Sequence, residues 1–139
     1  MAYNVLIVDD SATMRALIRK VLTISGFDIG EYFEGANGQE ALGILENNWV
    51  DIILSDIHMP GMDGSSLVKA LKDHKMWQNI PVVLITTEAR PEVIDPFINL
   101  GVQDYIQKPF RPETIRNKLT GILGEAHTQD VGETESCDF

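Results

Sequence analysis

The sequence predicts an α/β fold in which a five-stranded parallel sheet is doubly wound and covered by five helices. Short β-rich apolar runs alternate along the chain with segments that repeat apolar residues at helical spacing, which is the pattern of successive βαβ units. Several runs are almost wholly apolar, as expected of strands that are buried on both faces. The 139 residues, 44% apolar and 23% charged, suit one packed domain and are too few for two.

The predicted strands are the apolar runs themselves. They cover residues 3–8, 29–33, 52–54, 82–85 and 105–106. The first, third and fourth contain almost no polar residue, so we expect them inside the sheet. The crossovers should be right-handed, but periodicity alone does not give the order of the strands.

The first two helices have clear boundary signals. An apolar stripe from Met14 to Leu22 follows the i, i+3, i+4, i+7 spacing of a helix, and Gly26 ends it. Asn37 followed by Glu40 has the spacing of a capping box, which predicts that the second helix begins there.

The remaining three helices begin at glycine or proline. Gly64 opens the third, while Pro91 and Pro112 occupy plausible first positions of the fourth and fifth. Pro96 falls inside the fourth, where a proline removes a backbone hydrogen bond at a cost of about 3 kcal/mol. We therefore expect that helix to be short, kinked or mobile.

The composition excludes several classes of function. With 11 basic and 21 acidic residues the net charge is −10, and an acidic chain repels nucleic acids and anionic membranes. The longest apolar run, residues 80–85, is far shorter than the ~20 residues that span a bilayer, and the first ten residues lack the basic residues of a signal peptide. The single cysteine, Cys137, excludes an internal disulfide framework and a cysteine-based zinc site. We expect a cytoplasmic protein with no nucleic-acid or membrane partner.

The last 15 residues differ from the rest of the chain. They contain no Lys or Arg, and Val131 and Phe139 are their only large apolar residues. We predict a domain of residues 1–124 followed by an acidic, disordered tail, 125–139. The acidic residues of this tail are Glu125, Asp130, Glu133, Glu135 and Asp138.

Polar residues follow four of the predicted strands. Asp9 and Asp10 come after the first, Asp56 after the third, Thr86 after the fourth and Lys108 after the fifth. Sites in open α/β sheets form outside the carboxyl ends of the strands, so these groups should meet at one edge. Each has an ordinary alternative, such as a helix cap or a solvated charge, but their joint placement favours a site.

These residue types indicate phosphoryl transfer assisted by a metal ion. Three adjacent carboxylates cannot all stay ionised without a cation, and hard oxygen ligands favour Mg²⁺. An aspartate beside a metal-bound phosphoryl group can act as a nucleophile. Lys108 and Thr86 are of the right types to neutralise and bind the oxygens of that group.

Four segments resemble the receiver domains of response regulators, in particular the single-domain members of the chemotaxis type. They read VLIVDDSATMR (5–15), DIILSDIHMPGMDG (51–64), IPVVLITTEA (80–89) and DYIQKPF (104–110). The second is the most specific, because MPGMDG after a strand that ends in aspartate is a signature of the family. The resemblance covers about residues 3–124.

The resemblance implies a flavodoxin-like sheet of order 2-1-3-4-5 and a role in two-component signalling. Such a protein is a phosphoacceptor switch, not an enzyme with external turnover, although it catalyses its own phosphorylation and dephosphorylation. Its donor is a sensor histidine kinase or phosphotransfer protein. Its output runs through the surface of the fourth helix, fifth strand and fifth helix to a target protein that the sequence does not identify. We expect a monomer or weak dimer.

The same resemblance assigns a phosphoacceptor and its metal ligands. Asp56 would accept the phosphoryl group. Asp9, Asp10, Asp56 and the backbone carbonyl of His58 would hold Mg²⁺. His58 departs from the common pattern, and we expect its side chain at the mouth of the site to slow the loss of the phosphoryl group.

Further positions match the switch of the family. Lys108 would pair with the phosphoryl group, and Thr86 would form a hydrogen bond to it and shift. Tyr105 would turn inward when Thr86 moves. The bond between Lys108 and Pro109 would be cis, which is common only before proline.

Three other kinds of protein share part of this pattern. A flavodoxin has the same fold, but its first loop must cradle a phosphate, and here it presents Asp9 and Asp10. A haloacid-dehalogenase-like phosphatase also uses an aspartate nucleophile and Mg²⁺, but needs an Asp-x-Asp motif and a cap insertion. A pseudo-receiver would use the fold only as a scaffold.

Overall fold

Strands and helices alternate throughout the computed structural model, which describes residues 2–58 and 64–123. The strands are β1 (Tyr3–Val8), β2 (Ile29–Gly35), β3 (Ile52–Ser55), β4 (Val82–Thr86) and β5 (Asp104–Gln107). The alternation predicted from the sequence is therefore confirmed.

The helices follow the strands one for one. They are α1 (Ala12–Ser25), α2 (Gly38–Asn47), α3 (Gly64–Lys72), α4 (Pro91–Leu100) and α5 (Pro112–Leu123). Within the described ranges, none is long and apolar enough to cross a membrane.

All neighbouring strands are parallel, and their order is β2-β1-β3-β4-β5. This is the flavodoxin-like order that the resemblance implied. The chain passes from β1 outward to β2 and then returns to β3 on the other side of β1, so the loops after β1 and β3 diverge. A crevice forms between such loops at the carboxyl ends of the strands.

Two apolar cores lie on opposite faces of the sheet. Leu6 and Val8 of β1 belong to the core under α2, α3 and α4, whereas Val5 and Ile7 belong to the core under α1 and α5. Every residue of β3 and β4 is buried, as are the last four residues of β1. The prediction that these three strands lie inside the sheet is confirmed.

The boundary signals act largely as predicted. Gly26 ends α1 with a φ of 80°, a left-handed conformation that suits glycine. The Asn37 side chain accepts a hydrogen bond from the Glu40 N–H at 2.9 Å. Glu40 reaches back to the N–H of Ala36 at 2.8 Å, one residue earlier than in a standard capping box.

Two details differ from the predictions, and two predicted segments lie outside the described residues. β2 extends to Gly35, because pairing with β1 continues through Ile7–Glu34 and Val8–Gly35 although Glu34 is polar. α4 continues through Pro96 to Leu100, so the proline does not shorten the helix. Pro96 lies on the exposed side of α4. The predicted acidic tail and most of the MPGMDG turn lie outside the described residues.

Candidate functional site

Three carboxylates converge at the carboxyl edge of the sheet. Asp9 and Asp10 follow β1, Asp56 follows the neighbouring β3, and one carboxylate oxygen from each lies within 4.8 Å of the others. Asp9 is buried, Asp56 is half-buried and Asp10 is exposed. The cluster therefore opens to solvent on the side of Asp10.

Asp9 is fixed by two contacts. One carboxylate oxygen accepts a hydrogen bond from the N–H of Ser11 at 2.9 Å, and the other lies 3.3 Å from Nζ of Lys108. The N–H of Lys108 in turn donates to the carbonyl of Thr86 at 2.8 Å, and the Lys108–Pro109 bond is cis, as the resemblance implied. Residues 99 positions apart in the chain thus form one ion pair between the buried Asp9 and the half-buried Lys108.

The backbone holds Asp56 in the crevice. Its N–H donates to the carbonyl of Val8 at 2.9 Å, and its Oδ1 accepts from the N–H of Ile57 at 2.8 Å. Gly64 begins α3 directly against this segment, since a Cβ there would lie 2.9 Å from the Asp56 carbonyl oxygen. A glycine is therefore required for this close approach.

The protonation of Asp56 depends on a balance of opposing effects. Burial raises the pKa of the Asp56 carboxyl above its ordinary value, and the Asp9 carboxylate adds to this rise. The Lys108 ammonium and the backbone N–H groups of Ile57 and His58 act in the opposite direction. The net effect is a raised pKa. The folded protein therefore makes the ionised form of Asp56 less favourable than it is in water.

Thr86 and Tyr105 lie on one face of the sheet. Leu84 is the register partner of Tyr105, and Thr86 follows Leu84 by two residues, so Thr86 and Tyr105 are diagonal neighbours on paired strands. Thr86 is buried, and its Oγ1 accepts a hydrogen bond from the N–H of Glu88 at 2.9 Å. Its hydroxyl proton therefore remains available to another acceptor.

Tyr105 is half-buried beside a cation. Nζ of Lys118 lies 5.3 Å from the centre of the Tyr105 ring and 3.1 Å from a carboxylate oxygen of Asp104. This arrangement combines a cation–π contact with an ion pair. Lys118 thus ties α5 to the outer edge of β5.

The side chain of His58 is exposed, two residues beyond Asp56. The backbone N–H of His58 lowers the pKa of the Asp56 carboxyl. The proposed influence of the imidazole on a phosphoryl group is not tested by this geometry and stays a prediction.

Arg15 is a site residue that the sequence analysis missed. Its Nη1 donates to the carbonyl of Asp9 at 2.6 Å, and its Nε donates to Glu34 at 2.9 Å. Arg19 donates to the other oxygen of Glu34 at 2.8 Å. A charged residue on the polar side of a helix usually indicates solvent exposure, and only the pairing of β2 with β1 brings Glu34 under Arg15.

Arg15→Gln should destabilise the fold more than Arg19→Gln. The Arg15 side chain is 16% exposed and contacts both the carbonyl of Asp9 and the carboxylate of Glu34. The Arg19 side chain is 50% exposed, and Glu34 is the carboxylate with which it forms an ion pair. Loss of a hydrogen bond to a charged group costs about 1.5–3 kcal/mol, against about 0–1 kcal/mol for an exposed ion pair. Urea unfolding of both variants measures the difference, and equal losses would show that the contact with Asp9 contributes nothing.

The fold and the carboxylate cluster together define a doubly wound α/β domain with an acidic site at the topological switch point. The response regulator receiver domain model matches residues 5–120. The chain therefore belongs to the response-regulator receiver family, and it is a two-component response regulator homologous to CheY chemotaxis proteins. This assignment separates it from the flavodoxins and the haloacid-dehalogenase-like phosphatases.

Individual relatives agree with this assignment over nearly their full lengths. The CheY homologue of Campylobacter jejuni is 35% identical over 131 residues, which are 94% of this chain and 99% of that protein. CheY1 of Helicobacter pylori is 36% identical over 122 residues, 87% of this chain and 97% of its own. The structure of CheY4 of Vibrio cholerae superposes with a TM-score of 0.79 at 33% identity, covering 88% of this chain and all of that one.

Proposed function

We propose that Asp56 accepts a phosphoryl group from a sensor histidine kinase or phosphotransfer protein and that this modification switches the output surface. The observation that carries the proposal is the meeting of three carboxylates within 4.8 Å of one another, beside the Lys108 ammonium. Nothing in an ordinary packed domain requires this concentration of charge.

The donor set suits Mg²⁺. The cluster offers hard carboxylate oxygens and opens to solvent at Asp10. Burial and the Asp9 carboxylate raise the pKa of Asp56, and a divalent cation would offset this unfavourable effect on its ionised form. Asp9, Asp10, Asp56 and the backbone carbonyl of His58 would hold it. When bound, Mg²⁺ neutralises negative charge on phosphoryl oxygens.

In this proposal each side chain of the site has a role. Oδ1 of Asp56 accepts from the N–H of Ile57, which leaves Oδ2 to attack phosphorus. A new O–P bond forms while the P–N bond of the donor phosphohistidine breaks, and its electron pair returns to the imidazole. Lys108, whose contact with Asp9 is long, turns to the phosphoryl oxygens, and Thr86 donates its hydroxyl proton to them.

The placement of Thr86 beside Tyr105 supports a two-state switch. A phosphoryl group adds a charge of about −1.5 to −2 and three acceptor oxygens, and it shifts a population only by binding one state better. Movement of Thr86 toward the phosphoryl group would open space on the face that Tyr105 shares. The surface of α4, β5 and α5 would then present a different shape to the target.

Several finer assignments belong to the same proposal. The chain would act in the cytoplasm as a monomer or weak dimer, and its modification would be stoichiometric and not a turnover of external substrate. Its pathway would be chemotaxis, since curated relatives are chemotaxis proteins. A pull-down with and without phosphorylation would identify the target.

Incubation with Mg²⁺ and a small acyl phosphate tests the function. We expect intact mass to increase by one phosphoryl group per chain, without steady release of phosphate beyond that given by slow hydrolysis. Absence of any modification would favour a pseudo-receiver that serves as a scaffold, and continuous turnover of a phosphoester would favour a phosphatase.

His58→Ala should shorten the lifetime of the phosphoryl group. An exposed imidazole two residues after the acceptor hinders the in-line approach of water or binds a phosphoryl oxygen. We expect the loss to accelerate roughly threefold to tenfold, which corresponds to a barrier lower by up to about 1.4 kcal/mol. His74→Ala, at the other edge of the sheet, is the control. A longer lifetime would mean that His58 activates water, and an unchanged one that it only faces solvent.

A further inference from the structure

An apolar groove lies at the edge of the sheet opposite the carboxylate cluster. It has a volume of about 360 Å³ and is formed by the segments that enter β3 and β4. Trp49 lines one wall, and Met76 and Trp77 line the other. We call this feature the tryptophan groove.

The exposure of these walls is unusual. The side chains of Trp49 and Met76 are 74% and 77% exposed, the highest values among the exposed large apolar residues of the described ranges. Trp49 is nevertheless held in place, because its Nε1 donates to Asp51 at 2.9 Å. Trp77 is stacked on His74 with 3.7 Å between ring centres. The groove is thus preformed, and its apolar walls face solvent.

The end of α5 leads the chain to this edge. The carbonyl of Leu123 accepts a hydrogen bond from the hydroxyl of Tyr3 at 3.0 Å, and the side chain of the next residue, Asn4, donates to the carbonyl of Trp49 at 3.0 Å. The side chains of Tyr3 and Asn4, the peptide unit between them and two hydrogen bonds therefore connect Leu123 to Trp49, a path of roughly 20 Å.

The chain beyond Leu123 has a suitable length. From Leu123 to Phe139 there are 16 residues, for which a flexible chain has an end-to-end distance of roughly 20–24 Å. A tether whose average length matches the span gives its end a local concentration on the order of 1 mM. A site with a millimolar Kd would then be half filled without any partner.

The charges are complementary as well. Residues 125–139 carry five acidic side chains and no Lys or Arg. Lys75 directly precedes Met76 in the chain, and neither Lys72 nor Lys75 forms an ion pair with a carboxylate within residues 2–58 and 64–123. Nζ of Lys72 donates instead to the carbonyl of Gln78 at 3.1 Å, between the groove residues Trp77 and Asn79 in the chain. The carboxylate of Asp51 is already occupied by Asn4 and Trp49.

We propose that residues 124–139 fold back across this edge of the sheet and that the Phe139 side chain occupies the tryptophan groove. Phe139 is the only aromatic residue of the segment and stands at the distance that the span requires. The acidic residues before it lie toward Lys72 and Lys75. This docking is independent of the chemistry at Asp56, which lies at the other edge.

The chain carries its own probes for a test. Cys137 is its only cysteine and Trp49 and Trp77 are its only tryptophans, so a nitroxide on Cys137 and the two indole N–H signals report on this contact alone. In the labelled chain of residues 1–139 we expect both indole signals to be lost, while the amide signals of Asp10 and Thr86 keep their intensity. Phe139→Ala in the labelled chain should restore the indole signals, and Val131→Ala should leave them broadened.

Three outcomes would overturn the proposal. Full indole intensity in the labelled parent chain would show that the segment does not reach the groove, and equal loss in the parent and in Phe139→Ala would show that Phe139 does not anchor it. A mixture of labelled, unenriched chains with unlabelled, ¹⁵N-enriched chains forms the third arm. Loss of indole signals in that mixture would assign the groove to a second copy instead of to the same chain.

Discussion

Asp56→Asn should abolish incorporation of a phosphoryl group from an acyl phosphate. Asp56 is the member of the carboxylate cluster that follows β3, and hydrogen bonding of its Oδ1 to Ile57 orients the other oxygen into the crevice. An amide at this position keeps the shape and the backbone contacts but lacks the nucleophilic oxygen. We expect complete loss of the label, measured by intact mass.

Two further variants separate the acceptor from its surroundings. Asp9→Asn should reduce the rate of labelling, because it weakens the cation site and the Lys108 ion pair, but one phosphoryl group should still be added per chain. Asp73→Asn, in the exposed turn after α3, should label like the parent. Stoichiometric labelling of Asp56→Asn would show that another residue is the acceptor.

Millimolar Mg²⁺ should raise the melting temperature, and more so as pH rises. Ligating carboxylates must be deprotonated, so Mg²⁺ binds better at higher pH. At 10 to 100 times its Kd, a bound ligand adds about 1.4–2.7 kcal/mol to the free energy of unfolding, or roughly 4–10 °C for a domain of this size. NaCl at equal ionic strength is the control.

Without Mg²⁺, the contribution of Asp56 to stability has the opposite dependence on pH. Because burial raises the pKa of Asp56, the folded state holds the proton at pH values where the unfolded chain has lost it. The free energy of unfolding therefore falls as pH rises from the unfolded pKa through the raised folded pKa, and the penalty persists above that window.

Asp56→Asn provides the matched test of this dependence. The variant should melt at a higher temperature than the parent at neutral pH without Mg²⁺, and it should gain less from added Mg²⁺. Thermal melts of both proteins across pH 4–8, with and without the ion, measure the two effects. A parent melting temperature that does not respond to millimolar Mg²⁺ would contradict a cation site at this cluster.

The secondary structure was largely predictable because local signals and burial agree. β1, β3 and β4 are apolar runs that lie between layers of helices, and Gly26 and Asn37 act locally at helix ends. At Pro96, local reasoning about helix length was wrong, since α4 continues through this residue to Leu100. β2 is longer than its apolar run because ladder pairing with β1 tolerates the polar Glu34.

The sequence by itself determined that strands and helices alternate and that polar residues follow four of the strands. It also predicted that Asp9, Asp10 and Asp56 would meet, because the ends of parallel strands share an edge. Only the tertiary structure decided which groups support them: the Lys108 contact with Asp9, the Arg15–Glu34 pair and the close approach of Gly64. The tryptophan groove likewise forms only in the folded chain. The physical reason is that periodicity reports whether a side chain faces the core or solvent, whereas contacts between distant residues depend on strand order and on the packing of helices over the sheet.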